Sequence, residues 1–343
     1  MVKRAGIVVW LIALAALIAV TVWSGLADVG QALAGIGWGI LLVVLVRAAA
    51  IAIAGAGWWL LFPPSLHPRL RTCVQLRFVR EAANVLLPMA QVGGDIIGAG
   101  LLRVHYAVPG SLAAASVIVD MLMQAATQFV FAALGLAMLI ALDADAMLAH
   151  VAAIGLGIAA LLLVGFYLAQ RRGAQRLLRA AFMRLAGDDH WRALGTLDAV
   201  YQSLAAIYAG RRNLFLSALV HFVGWLVGTA EVLIVFAWLG HPIGLAEALV
   251  IESLLHAIRG AAFAIPSALG VQEGGLVLLC AAFGIPASEA LALSLAKRAA
   301  DLVLGAPSLI AWQVLDWGRL LPFGMLRVRQ AQVPQALPLD PKR

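Results

Sequence analysis

Charge is scarce in this sequence. Only 12% of its 343 residues are Asp, Glu, Lys or Arg, whereas 64% are apolar and the mean hydropathy is +0.99. Soluble domains carry roughly 25% charged residues, so the composition excludes a soluble fold and indicates an integral membrane protein. Cysteine is scarcer still. Cys73 and Cys280 are isolated, lie in or beside apolar segments and lack metal-ligand spacing, so each reads as a small hydrophobe without a further role. HExxH, P-loop, GxSxG and strand-borne dinucleotide motifs are missing, and His221, His241 and His256 are scattered. The reading is therefore not an enzyme, with no cofactor and no metal. The net charge of +7 has no basic, aromatic-interleaved groove to go with it, which argues against nucleic acid as a partner. The basic residues fall in loops between apolar runs, where they serve topology and anionic headgroups.

What the chain has is long apolar runs. Stretches of the roughly 20 residues needed to cross hydrocarbon occur at about 5–24, 37–62, 110–141, 147–169, 213–239 and 287–315. The first follows Lys3 and Arg4 and exceeds a signal-peptide core without a small-residue cleavage site, so it reads as an anchor. Two further apolar stretches, 72–104 and 245–284, are interrupted. Each holds one copy of a pattern: PMAQVGGD from Pro88 to Asp95 and PSALGVQE from Pro266 to Glu273. Both copies place a carboxylate seven residues after a proline, with glycines between. In hydrocarbon such breaks survive only where protein or a watery cavity satisfies the freed backbone, so both stretches read as helical hairpins.

The basic residues orient these elements. With the N-terminus inside and each hairpin returning to its side of entry, Arg69, Arg71, Arg77 and Arg80 fall inside. So do the eight arginines from Arg171 to Arg212 and the tail from Arg319. The segments left outside, around Asp28, 143–150, 241–247 and 284–289, contain no Lys or Arg. One hairpin then opens from the cytoplasm and the other from the opposite face. The expected fold is all-α: a polytopic membrane protein of about six spans plus two hairpins, in an inverted repeat of the kind secondary transporters use. Repeat one covers about 72–141 and repeat two about 245–315, within a single transmembrane domain at 1–320. Tyr106-Ala-Val-Pro109 and Phe283-Gly-Ile-Pro286 extend the likeness, and a one-residue slip aligns Asp120 with Lys297 and Gln124 with Asp301. The basic loop at 170–212 is cytoplasmic, and its RRGAQRLLRAAFMRL stretch suits a helix in the headgroup layer or a plain topology determinant. The tail at 321–343 reads as cytoplasmic and disordered.

Intramembrane charges cost about 2.5–3.5 kcal/mol each on insertion scales and are paired or functional. This chain has Arg47, Glu81, Asp95, Asp120, Glu231, Glu252, Arg259, Glu273, Lys297, Arg298 and Asp301. Lys297, Arg298 and Asp301 share a helical face, so a structural ion pair that fixes helix packing stands beside a functional role for this trio. Asp95 and Glu273 have no basic residue within a helical turn, so they are expected to exchange protons or hold a cation. The alternative is an acid satisfied by helix N-terminal amides. Arg80 and Arg103 read as snorkelling residues near a span end. Arg259, Lys297 and Arg298 are better placed for an anionic ligand. The expected transport residues are Asp95, Glu273, Arg259, Lys297, Arg298, Asp301, Glu81 and Asp120. The expected hinges are Pro88, Gly93, Gly94, Pro266, Gly270 and Gly274.

The stretches REAANVLLPMAQVGGD, GAAFAIPSALGVQEGG and SLAKRAADLVLG resemble the flippase-like membrane region of the lysylphosphatidylglycerol synthetase superfamily. Within it the chain is most similar to the hopanoid-biosynthesis-associated membrane proteins. The likeness runs from about residue 5 to 320 and implies a multi-pass inner-membrane protein of a diderm bacterium that moves or presents lipid rather than making it. It carries over to Pro88, Gly93, Gly94, Asp95, Pro266, Gly270, Glu273 and Gly274. The implied partners are membrane lipids, together with lipid-synthesis or export proteins. The residues themselves also allow a small-solute secondary transporter, a non-catalytic scaffold acting through the basic loop and, last, a membrane-embedded transferase.

Overall fold

A computed structural model describes residues 34–87, 93–170, 190–262, 265, 268 and 270–317. The expected first span, Pro88, Pro266, residues 171–189 of the basic loop and the tail lie outside the described residues. Those described form ten α-helices and no strand. They are α1 (Gly39–Trp59), α2 (Leu70–Leu86), α3 (Gly93–Tyr106), α4 (Gly110–Ala141), α5 (Ala146–Ala169), α6 (His190–Ala209), α7 (Arg211–Trp238), α8 (Leu245–Ala261), α9 (Val271–Ala281) and α10 (Ala287–Trp317). Helices α1, α4, α5 and α7 are long and apolar enough to span a bilayer. Helix α10 has the length, 31 residues, but carries Lys297, Arg298 and Asp301 along it. Helix α5 has no fully buried residue and packs only lightly, with Leu148, Ala149 and Ala152 against the protein core, so most of its apolar surface is left to lipid.

Local chemistry sets the breaks. Leu87 is extended ahead of Pro88 and ends α2, because a following proline disfavours the helical region. Gly270 starts α9 with φ +75°, a conformation that costs a side-chain-bearing residue but not glycine. The Glu273 carboxylate then reaches back to accept from the Gly270 N–H at 2.8 Å, satisfying one of the orphan donors of that helix start.

Packing repeats in a reciprocal pattern. Helices α1 and α7 lie against each other; α1 packs on α2 and α10, and α7 packs on α8 and α4. The hairpin α2–α3 pairs with α4 as α8–α9 pairs with α10. The first helix of each hairpin also crosses to the other half: α2 lies on α10 and α8 lies on α4. The pseudo-repeat thus takes in α1 and α7 as well as the hairpins.

Two apolar clusters sit at opposite ends of these helices. One joins the end of α1 (Trp58) and the turn after it (Phe62), the hairpin α2–α3, the start of α4 (Leu112) and α6. The other joins the start of α1 (Val43), the end of α4 (Leu139), the end of α7 (Val235), the hairpin α8–α9 and the first half of α10. The two hairpins are therefore built into opposite ends. Helix α6, in the segment expected as a polar loop, packs on α4, and its Tyr201 hydroxyl donates to the Ala169 carbonyl at the end of α5 at 2.9 Å.

Candidate functional site

The tip of each hairpin is tied down by buried charge. In the first half, Arg80 on α2 is fully buried and holds two acids. Its guanidinium binds Asp95 in the first turn of α3, with Nε 2.9 Å from Oδ1, and binds Asp120 on α4 at 2.8 Å. Its charge also lies over the Trp58 ring, 4.5 Å from the centroid. Asp120 accepts further bonds from Gln124 at 2.8 Å and His221 of α7 at 3.0 Å, and it faces Arg77 at 3.4 Å. Arg77 continues to Gln124 at 2.6 Å and Glu81 at 3.1 Å. Asn84 closes the tip by donating to Asp95 at 3.1 Å while accepting from the Gly94 N–H at 2.7 Å.

Small residues make this geometry possible. A Cβ at Gly98 would stand 2.6 Å from the Arg80 side chain, and one at Gly57 would stand 2.7 Å from His221 Nε2. Gly93 and Gly94 are buried at the start of α3. Gly274, by contrast, lies within the first turn of α9 in open space.

The second half carries a longer chain of pairs. Lys297 on α10 binds Glu231 of α7 at 2.8 Å and Glu252 of α8 at 2.7 Å. Glu231 in turn binds Arg47 of α1 at 2.7 Å, and Arg47 reaches Asp301 at 3.4 Å. Glu252 also bonds His256 at 3.0 Å. Beside this chain, Arg298 binds Glu273 at 2.6 Å, with Ser294 donating to the same carboxylate at 3.0 Å. Burying such pairs is costly, and their value depends on every partner staying in place. The halves meet where Glu81 of the first network and Asp301 of the second line one small pocket between α1, α2 and α10, with Phe78 and Gly305 among its walls.

Several expectations change here. Asp95 and Glu273 do not stand free of basic residues: arginines 15 and 25 positions away, beyond any one-turn window, pair with them. Arg80 does not snorkel, because the hairpin folds over it, although Arg103 is exposed as expected. Lys297, Arg298 and Asp301 do not satisfy one another, since each side chain finds a partner on a different helix. Arg259 is half-buried and forms no ion pair among the described residues, though it lies within electrostatic range of Glu81. Sequence reasoning set aside His221 and His256 by searching for metal spacing. For His256 the missed signal was Glu252, four positions earlier on the same helix, whereas His221 meets Asp120 only through helix packing.

This doubled, charge-locked hairpin fold coincides with a family match. Residues 10–307 match the family described as Lysylphosphatidylglycerol synthase TM region. The chain belongs to that family. Its membrane region thus ties the protein to membrane lipid. No curated protein and no solved structure matches the chain.

Proposed function

We propose that this member of the lysylphosphatidylglycerol synthase transmembrane-region family is a lipid translocator or lipid-export factor. It would work without catalysis of its own, in the inner membrane of a diderm bacterium with both termini cytoplasmic. The observation that carries the reading is the reciprocal packing, which sets two charge-locked hairpins at opposite ends and brings their networks together at Glu81 and Asp301. A headgroup entering from one leaflet meets one hairpin, and rocking of one half against the other passes it to the second while the tail stays in lipid. Arg259 is the headgroup contact, a half-buried cation without an ion-pair partner among the described residues. The resemblance favours hopanoid lipids as cargo, and lipid-synthesis or export proteins as partners.

Leaflet exchange of labelled hopanoid and anionic phospholipid in proteoliposomes tests this. Wild type exchanges lipid, whereas the Asp95→Asn, Glu273→Gln variant, whose hairpin tips are unlocked, does not. A wild type that moves no lipid under any gradient would refute the reading, and movement of a soluble solute instead would favour a solute carrier.

A further inference from the structure

His256 stands between opposing charges. On its own helix, Glu252 accepts a hydrogen bond from His256 Nε2 at 3.0 Å, and Arg259 follows three positions later, within electrostatic range of the ring. From α10, Lys297 binds the same Glu252 at 2.7 Å. Among the described residues the other elements bring no charge to the ring. Helix α7 presents Trp225 edge-on, 4.7 Å between centroids, and α4 presents Gln128, which donates to the His256 carbonyl at 2.7 Å. The side chain keeps 16% exposure, enough for water to reach it. A carboxylate only accepts, so Nε2 carries the proton of the neutral ring and Nδ1 is the nitrogen that takes up another.

The charges then add up unevenly. The series His256, Glu252, Lys297, Glu231, Arg47, Asp301 contains three carboxylates and two permanent cations. It alternates in sign and taken alone is one positive charge short of balance while His256 is neutral, a charge that Arg259, within range of the same ring, supplies as a third cation. Arg259 opposes that proton as a like charge. An anion resting on Arg259 removes the opposition.

We infer that a phosphate-bearing anion at Arg259 and a proton at His256 Nδ1 bind together, so that each promotes the other. Reciprocity is required, because the coupling is one free energy shared by two sites. The inference rests on the reading of Arg259 as the headgroup contact, and it makes transport of an anionic headgroup proton-linked.

Trp225 supplies a readout that needs no transport, since an imidazolium against an indole quenches its fluorescence. The protein is titrated with acid in a phosphate-free maltoside detergent, and the Trp225→Phe variant isolates the signal of that one indole. Adding short-chain phosphatidylglycerol should raise the quenching midpoint by about half a pH unit or more. Arg259→Gln should lose the rise. His256→Gln, which keeps an amide donor for Glu252, should lose the acid quenching itself while eluting as a folded protein on size exclusion. Inorganic phosphate is the second arm. A rise with the lipid alone assigns the site to a headgroup, and a rise with both shows that the phosphate suffices. A midpoint unmoved by either, or a rise that survives Arg259→Gln, overturns the inference. The two readings fail separately: a ligand-dependent midpoint without leaflet exchange leaves the linkage and removes translocation, whereas exchange with a fixed midpoint removes only the linkage.

Discussion

Lys297 sets its ammonium between two helices by binding Glu231 at 2.8 Å, and its neighbour Arg298 turns instead to Glu273. The adjacent cations differ in burial: the Lys297 side chain is 1% exposed, while the Arg298 and Glu273 side chains are 12% and 24% exposed. Removing Lys297 leaves Glu231 to Arg47 alone and Glu252 to His256 alone, two buried carboxylates against one permanent cation, so Lys297→Met should lower stability by about 3–5 kcal/mol. Arg298→Gln should cost about 1 kcal/mol, as for a pair partly screened by solvent. Thermal unfolding of both variants in detergent checks the contrast, and equal losses would contradict it.

Gly57 and His221 make a second pair with a measurable coupling. A Cβ at position 57 would lie 2.7 Å from His221 Nε2, so Gly57→Ala should push the ring off Asp120 and destabilise the protein by about 1–3 kcal/mol. His221→Ala removes the obstacle. In a double-mutant cycle the loss from Gly57→Ala should shrink once His221 is Ala, a coupling of about 1 kcal/mol. Additive losses would mean that the two side chains do not meet.

How much of this was legible in the sequence follows from the range of each interaction. The runs at 37–62, 110–141, 147–169 and 213–239 became α1, α4, α5 and α7 with small shifts at the ends, because twenty apolar residues in a row are a local signal. The interrupted stretches became α2–α3 and α8–α9 for the same reason, since proline and glycine act on their own neighbours. Charge pairing between helices was not legible. Arg47 meets Glu231 from 184 positions away, and His221 meets Asp120 from 101. Those partners are chosen by helix packing, and composition conveyed only that intramembrane charges must find some partner.

In the proposed rocking of the halves, the contact of α2 with α10 beside the pocket of Glu81 and Asp301 is where that movement would be felt. Gly305 forms part of its wall, and a Cβ there would lie 2.5 Å from Leu86 Cδ1. Gly305→Val should wedge the two helices apart and slow lipid exchange at least tenfold. The α-helical circular dichroism of the purified variant should be unchanged. Unaltered exchange would place the moving contact elsewhere.

Whether each hairpin returns to its side of entry is decided by labelling its two flanks. His67 precedes α2 and Arg103 lies near the end of α3; Pro242 precedes α8 and Ser288 follows α9. All four are exposed, and the native Cys73 and Cys280 are buried, so a membrane-impermeant thiol reagent reads a single introduced cysteine. The basic residues gather beside the first pair, at Arg69 and Arg71, and are missing from 241–247 and 284–289. His67→Cys and Arg103→Cys should therefore react only after the membrane that holds the protein is permeabilised, whereas Pro242→Cys and Ser288→Cys should react while it is intact. A split within either pair would mean that its hairpin crosses the membrane outright. The halves would then lose the inverted relation that the opposed apolar clusters and the charge partition both support.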